Sequence, residues 1–190
     1  MMKNYIAICG FLFFGSGIVF AQSNDTGELE ESSNEIHWLS FEEALELNRL
    51  NPKKWVIDVS TSWCGWCKKM DKDTFQDSLI VQHVNANYYA VALDGEGKDD
   101  ITIDDRTFKF VASGRRGYHE LPAELMGGKM SYPTIIFLGE ELQNLSAVPG
   151  YKGPKDFLAI LEFFELFDPE TPVTWTDFME SYVSPYPDEL

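Results

Sequence analysis

The chain has 190 residues and carries 31 Asp and Glu against 15 Lys and Arg, a formal net charge of −16 at pH 7. An acidic surface of this kind repels phosphate backbones and anionic lipid headgroups, which argues against nucleic acid and anionic membranes as partners; it reads first as a generally solvated acidic surface, with attraction to basic partners as the sharper alternative. The length suits one domain with a full core.

Residues 1–21 read as a secretory signal. Lys3 supplies a positive start, the run 5–20 is almost wholly apolar or small, and cleavage is expected after Ala21. The run is short for a membrane span and turns polar at once, so membrane association is expected only if the segment stays uncleaved. Cys9 lies early in this run behind Ile8, without the small residues that a lipid-bearing cysteine needs. Removal of the segment leaves two cysteines, Cys64 and Cys67, in an exported protein, periplasmic or extracellular, where disulfides persist.

Residues 22–35 are rich in Ser, Asn, Glu and Asp and read as a flexible leader. A short strand is expected over 36–39. Ser40 and Glu43 form a capping box that starts a helix over 41–50, with Phe41, Ala44, Leu45 and Asn48 near one face, and Asn51-Pro52 stops it. The run 55–59 is β-rich but holds Asp58, a carboxylate whose burial without a partner is costly. A polar connection leads from it into a short helix that begins near Cys64 and ends near 71–73. A further helix is expected over 78–87, with Leu79, Ile80, Val81 and Val84 on its apolar side, and then a strand over 88–93.

The stretch 96–116 is polar and acidic in its first part, and 107–111 fits a strand or a helix equally well by periodicity. A short helix over 119–126 ends at Gly127-Gly128. Strands over 134–138 and 144–148 are joined by a hairpin connection, and Pro154 sits in the first turn of a helix over 154–167. That helix offers Phe157, Leu158, Leu161, Phe164 and Leu166 as a broad apolar surface. The extension 168–190 carries Trp175, Phe178, Met179, Tyr182 and Val183 at helical spacing and is expected to pack on the domain, 36–167. Alternating strands and helices in the first half imply parallel strands, and the adjacent pair near the end implies an antiparallel hairpin: an α/β fold with a central mixed sheet.

The chemistry concentrates in Trp63-Cys64-Gly65-Trp66-Cys67-Lys68-Lys69. Two cysteines two residues apart at a helix start allow one thiol to be exposed at the helix N-terminus with the other one turn behind, so that they close and reopen as a unit. The pair closes too small a loop to serve mainly for stability. His37, His83 and His119 lack the short paired spacing of a zinc site, so no metal is expected.

The order of elements, the Trp-Cys-x-x-Cys run and Tyr132-Pro133-Thr134 before an apolar strand resemble the thioredoxin superfamily, over roughly residues 38–167. Ile57-Asp58-Val59, Thr74-Phe75, Gly150-Tyr151 and the Gly-Tyr-His-Glu-Leu stretch at 117–121 add to the likeness, which points to exported thioredoxin-like proteins with a Cys-Gly-Trp-Cys active site. The resemblance implies a thioredoxin-like fold with an insertion before a cis-proline at Pro133. It implies Cys64 as nucleophile, Cys67 as the resolving thiol and Asp58 as the carboxylate that exchanges a proton with Cys67. Trp63, Trp66, Tyr132 and Pro133 are the implied substrate-binding residues, Trp63 as an apolar lip unless it is ordinary core, and the Tyr132 main chain as the partner of an extended substrate. Gly65 is expected to relieve crowding at the turn. Trp66 stands where many thioredoxins have proline, and the lysine often found near the buried Asp is missing around Ala90.

The implied activity is thiol–disulfide oxidoreduction on protein disulfides or dithiols, in the reductase direction, with no cofactor because thiolate attack is the whole reaction. With one cysteine pair, an external redox partner must recharge it. The competing reading is a thioredoxin-fold binding module whose disulfide stays static.

Overall fold

The computed structural model describes residues 34–187. The expected signal, Cys9, nearly all of the leader and the last three residues of the extension lie outside the described residues. No helix among the described residues is long and apolar enough to cross a membrane.

In chain order the elements are β1 (Trp38–Leu39), α1 (Phe41–Leu50), β2 (Lys54–Ser60), α2 (Gly65–Asp73), α3 (Ser78–Asn87) and β3 (Tyr88–Asp94). Four short strands follow: β4 (Ile101–Ile103), β5 (Arg106–Phe108), β6 (Phe110–Ser113) and β7 (Arg116–His119). The chain continues with α4 (Glu120–Leu125), β8 (Thr134–Leu138), β9 (Asn144–Pro149), α5 (Pro154–Leu166) and α6 (Trp175–Ser181).

Helix α1 starts as its sequence dictates. The Ser40 hydroxyl accepts from the Glu43 N–H at 3.2 Å, and the Glu43 carboxylate accepts from the Ser40 N–H at 2.8 Å. The face Phe41, Ala44, Leu45 and Asn48 is buried. Asn48 is buried because it is satisfied: its Oδ1 accepts from the Trp55 indole and the Lys53 N–H, and its Nδ2 donates to the Glu140 carbonyl.

The main sheet has the order β1-β3-β2-β8-β9. β1, β3 and β2 run parallel, and β8 and β9 are antiparallel to their neighbours. β2 and β8 are covered on both faces, which is why they read as continuous apolar runs. Alternation splits their side chains between two cores. Val56, Ile135 and Phe137 join Met70, Phe75 and the apolar faces of α3 and α5, while Trp55, Ile57, Val59 and Ile136 join α1 and Leu121 of α4. Asp58, two residues after Val56, lies on the Val56 face in the middle of β2, opposite Ala92 on one side and Ile135 on the other.

The ambiguous run 107–111 is two strands, broken at Lys109 and belonging to two separate hairpins, β4–β5 and β6–β7. The short strands are too brief for periodicity to register. The second hairpin returns to the sheet at His119, whose N–H donates to the Gly95 carbonyl at 2.9 Å. His119 is buried and caps α4, its Nδ1 accepting from the Leu121 N–H, while its Nε2 lies 3.1 Å from the Asp99 carbonyl oxygen. Gly127 and Gly128, both at positive φ, end α4.

The Lys54 ammonium donates to the carbonyls of Phe164, Glu165 and Phe167 and so closes the C-terminal end of α5. Leu166 and Leu79, expected on apolar faces, are exposed. In α6 only Phe178 is buried, against Phe163 at 5.6 Å between ring centroids; Val183 faces solvent. The extension is pinned further along by the Tyr186 hydroxyl, which donates to Asp77 at 2.5 Å.

Candidate functional site

The site forms where β2 hands over to α2. Cys64 is the N-cap of α2 with extended backbone, and its sulfur accepts from the Cys67 N–H at 3.0 Å. The sulfur therefore lies over the unpaired N–H groups and positive end of the helix. Cys64 and Cys67 are joined as a disulfide with Cα atoms 5.3 Å apart. The sequence leads one to expect an exposed thiol at Cys64, but in this closed form Cys64 is only 4% exposed. Its sulfur is turned in towards Cys67 and the helix end rather than out to solvent. Gly65 does not relieve crowding either, since a Cβ there would meet nothing within 4 Å.

Trp63 precedes the disulfide in sequence and Trp66 lies between its cysteines, and both are open to solvent, Trp63 at 48% and Trp66 at 60%. Core packing is thus excluded for Trp63. The Trp63 ring meets Tyr132 edge-on at 5.9 Å, and the Arg116 guanidinium lies 3.8 Å over its face. Trp66 tilts against Tyr151 at 5.6 Å. Beside Trp66 lies a groove of about 380 Å³ lined by Trp66, Tyr132, Pro133, Gly150 and Tyr151.

The peptide bond between Tyr132 and Pro133 is cis. The Pro133 carbonyl accepts from the Gly150 N–H at 2.8 Å, whereas among the described residues the Tyr132 main chain has no hydrogen-bond partner. That is what a site for an added strand requires: an unpaired N–H and C=O beside a groove. The Tyr132 ring lies against Gly95, where a Cβ would come within 2.4 Å of it, so a side chain at 95 would displace the ring. The Tyr132 phenol pKa is pushed up to about 12, by burial first and then by Glu96 and Asp94.

Asp58 is 5% exposed, and its Oδ1 has no hydrogen-bond partner. Its pKa is pushed up to about 7, first by burial and then by the negative charge of Asp71, against a bond from Ser60 that lowers it. No lysine offsets this. Instead the nearby charge is a second carboxylate, Asp71, four residues after Cys67 on α2, and burial raises its pKa too. The Thr61 hydroxyl, just ahead of the disulfide, is a second buried polar atom without a partner.

Among the described residues no three His, Cys, Asp or Glu side chains gather as a metal site. His83 pairs with Glu165 at 3.0 Å and is remote in role from the disulfide.

Sequence reasoning missed Arg116, Asp71, Tyr151 and Gly95. Asp71 was within reach, since a residue four after Cys67 on a helix shares its face. Tyr151 belonged to a quoted pair without being given a role. Arg116 carried no local signal, because its hairpin could not be read.

A family model described as Thioredox_DsbH, protein of unknown function, DUF255, matches residues 21–168. The chain belongs to this family. Among curated proteins the DsbH-like chain is 29% identical over 136 residues to "Uncharacterized protein B0495.5" of Caenorhabditis elegans, covering 71% of this chain and 17% of that protein. It is 28% identical over 91 residues to spermatogenesis-associated protein 20 of Rattus norvegicus, covering 47% of this chain and 12% of that one. The chain thus spans less than a fifth of the curated relatives' length. A solved structure named DsbH oxidoreductase superposes with a TM-score of 0.50 at 20% identity, over 69% of this chain and 85% of that one. The DsbH-like chain therefore has the thioredoxin fold, with a Cys-x-x-Cys pair at the start of α2.

Proposed function

We propose that the protein is an exported thiol–disulfide oxidoreductase that acts on protein disulfides, in the reductase direction. The observation that carries this reading is the Cys64 sulfur seated on the N-terminus of α2, bonded to the Cys67 N–H, beside a groove whose Tyr132 main chain is unpaired. A helix N-terminus stabilises a thiolate, and an unpaired strand edge receives an extended peptide.

In this reading the reduced protein presents Cys64 as thiolate. It attacks one sulfur of the substrate disulfide; that S–S bond breaks, one substrate cysteine leaves as thiolate, and a mixed disulfide forms on Cys64. Cys67 then loses its proton to the Asp58 carboxylate and attacks the Cys64 sulfur. The second substrate cysteine leaves as thiolate and takes up a proton, and the Cys64 and Cys67 disulfide is restored. The substrate has gained two electrons and the protein has lost two, which an external dithiol must return. Trp63, Trp66, Tyr132 and Pro133 hold the substrate segment. Nothing in the cycle calls for a cofactor.

A static disulfide in a binding module is favoured by one observation, the low exposure of Cys64. The two readings part on reactivity. After reduction, Cys64 is expected to alkylate at about pH 6, where an ordinary thiol is well under about 1% thiolate. Cys67→Ser is expected to accumulate a mixed disulfide between Cys64 and a partner protein. A disulfide that resists mild reductant, no adduct in Cys67→Ser and no reduction of a protein disulfide would together overturn the enzyme reading. Export is tested separately, by a mature N-terminus at Gln22 in the extracytoplasmic fraction.

A further inference from the structure

Part of the charge on the insertion between β3 and β8 is paired. Arg106 is bonded to Glu124, Lys109 to Asp100, and Asp104 takes up Arg49 of α1. Arg115 and Arg116, at the turn of the β6–β7 hairpin, have no carboxylate partner among the described residues. Their placement is fixed at both ends of the hairpin. Gly114 at positive φ turns the chain, Gly117 lets the Phe110 ring lie across the ladder where a Cβ would come within 2.2 Å, and His119 ties the base to Gly95. The Arg116 guanidinium lies over the ring of Trp63, the residue immediately before the disulfide.

A guanidinium stacked on an aromatic face keeps its N–H edge free for a carboxylate. Asp94 and Glu96, which face Tyr132, oppose an anion at that end of the groove, so the arginine side of Trp63 is where an anion is received. We propose that Arg115 and Arg116 form a selectivity element, which directs the disulfide towards extended protein segments bearing Asp or Glu beside the target cysteine. This rests on the oxidoreductase reading above and adds to it the class of segment accepted.

The net charge makes the prediction discriminating. A molecule of charge −16 steers basic peptides towards itself, so the long-range field and the local arginines predict opposite preferences. The test uses reduced full-length protein and three peptides, each closed by one disulfide and differing only in Glu, Gln or Lys beside the cysteines. Each rate is divided by the rate with dithiothreitol, which removes the intrinsic reactivity of the peptide. At about 20 mM salt the Glu peptide is expected to react about tenfold faster than the Lys peptide, and the ratio should shrink towards one at about 300 mM. In R115E/R116E the ratio is expected to invert. A Glu-to-Lys ratio below about two in the unmodified protein, or one that R115E/R116E leaves in place, overturns the assignment while the oxidoreductase reading stands. A protein that reacts with none of the three peptides overturns both. The unmodified protein decides the first outcome alone, so a misfolded variant would not rescue the proposal.

Discussion

Asp58 carries an electrostatic cost set by its burial. A carboxylate in mid-strand, without a bond to Oδ1 and with Asp71 nearby, resists ionisation. The consequence for stability follows from its sign. The folded pKa of about 7 lies above the ordinary aspartate value of 3.8, so the folded state holds its proton more tightly than the unfolded chain between those values. Stability from this group is full below about pH 4 and is lost as pH rises towards 7. Asp58→Asn removes the cost. Its stabilisation over the parent is expected to grow from under about 1 kcal/mol near pH 4 to about 4 kcal/mol above pH 7, measured by urea unfolding across pH. A gain that stays flat with pH would show that Asp58 ionises normally. The same residue bears on the proposed chemistry. Release of the mixed disulfide should slow below about pH 7, as the Asp58 carboxylate is protonated, and Asp71→Asn should move that midpoint down by removing a like charge.

Among the elements, the helices are held by caps that can be tested one at a time. Ser40→Ala removes the hydroxyl that accepts from the first turn of α1 and is expected to cost about 1 kcal/mol in chemical denaturation, with the sheet unchanged. Lys54→Met takes three donors from the end of α5 at once. Its cost is expected to reach about 1–2 kcal/mol, because the carbonyls of Phe164, Glu165 and Phe167 lose a shared partner at a half-buried position. A Lys54→Met protein as stable as the parent would mean that water replaces the ammonium without loss. The β6–β7 hairpin behaves differently. Beyond its own ladder it is tied to the rest of the domain by the His119 N–H bond to the Gly95 carbonyl and by the buried His119 ring.

For the whole molecule, two cores on opposite faces of one sheet make the site a junction rather than a pocket in a single core. Val56 and Phe137 point to one core, Trp55 and Ile136 to the other, and β2 carries Asp58 on the Val56 face. The extension belongs to the first core. Phe178 packs on Phe163, and Phe163 is stacked edge-on with Phe164, which lies 4.2 Å from Phe137. Phe178→Ala is therefore expected to destabilise the entire domain by about 3 kcal/mol in one cooperative transition. A separate early transition would instead mark the extension as an independent unit.

Helix and strand identities were legible in the residues because they rest on short-range causes. The Ser40 and Glu43 box, the stop at Asn51-Pro52, the glycines after α4 and the alternation along β2 and β8 act within a few residues, and a chain carries such signals in its own order. The cysteine spacing likewise singled out the site. What order alone left open were distances between residues far apart in the chain. The hairpins inside the insertion are too short for a period. Arg116 reaches Trp63 across more than fifty residues, Asp58 lacks the partner its burial would demand, and Cys64 turns inward where an exposed thiol was expected. Each of these depends on which segments pack together, and packing is settled by the summed burial of both cores, a non-local quantity that no window of sequence contains.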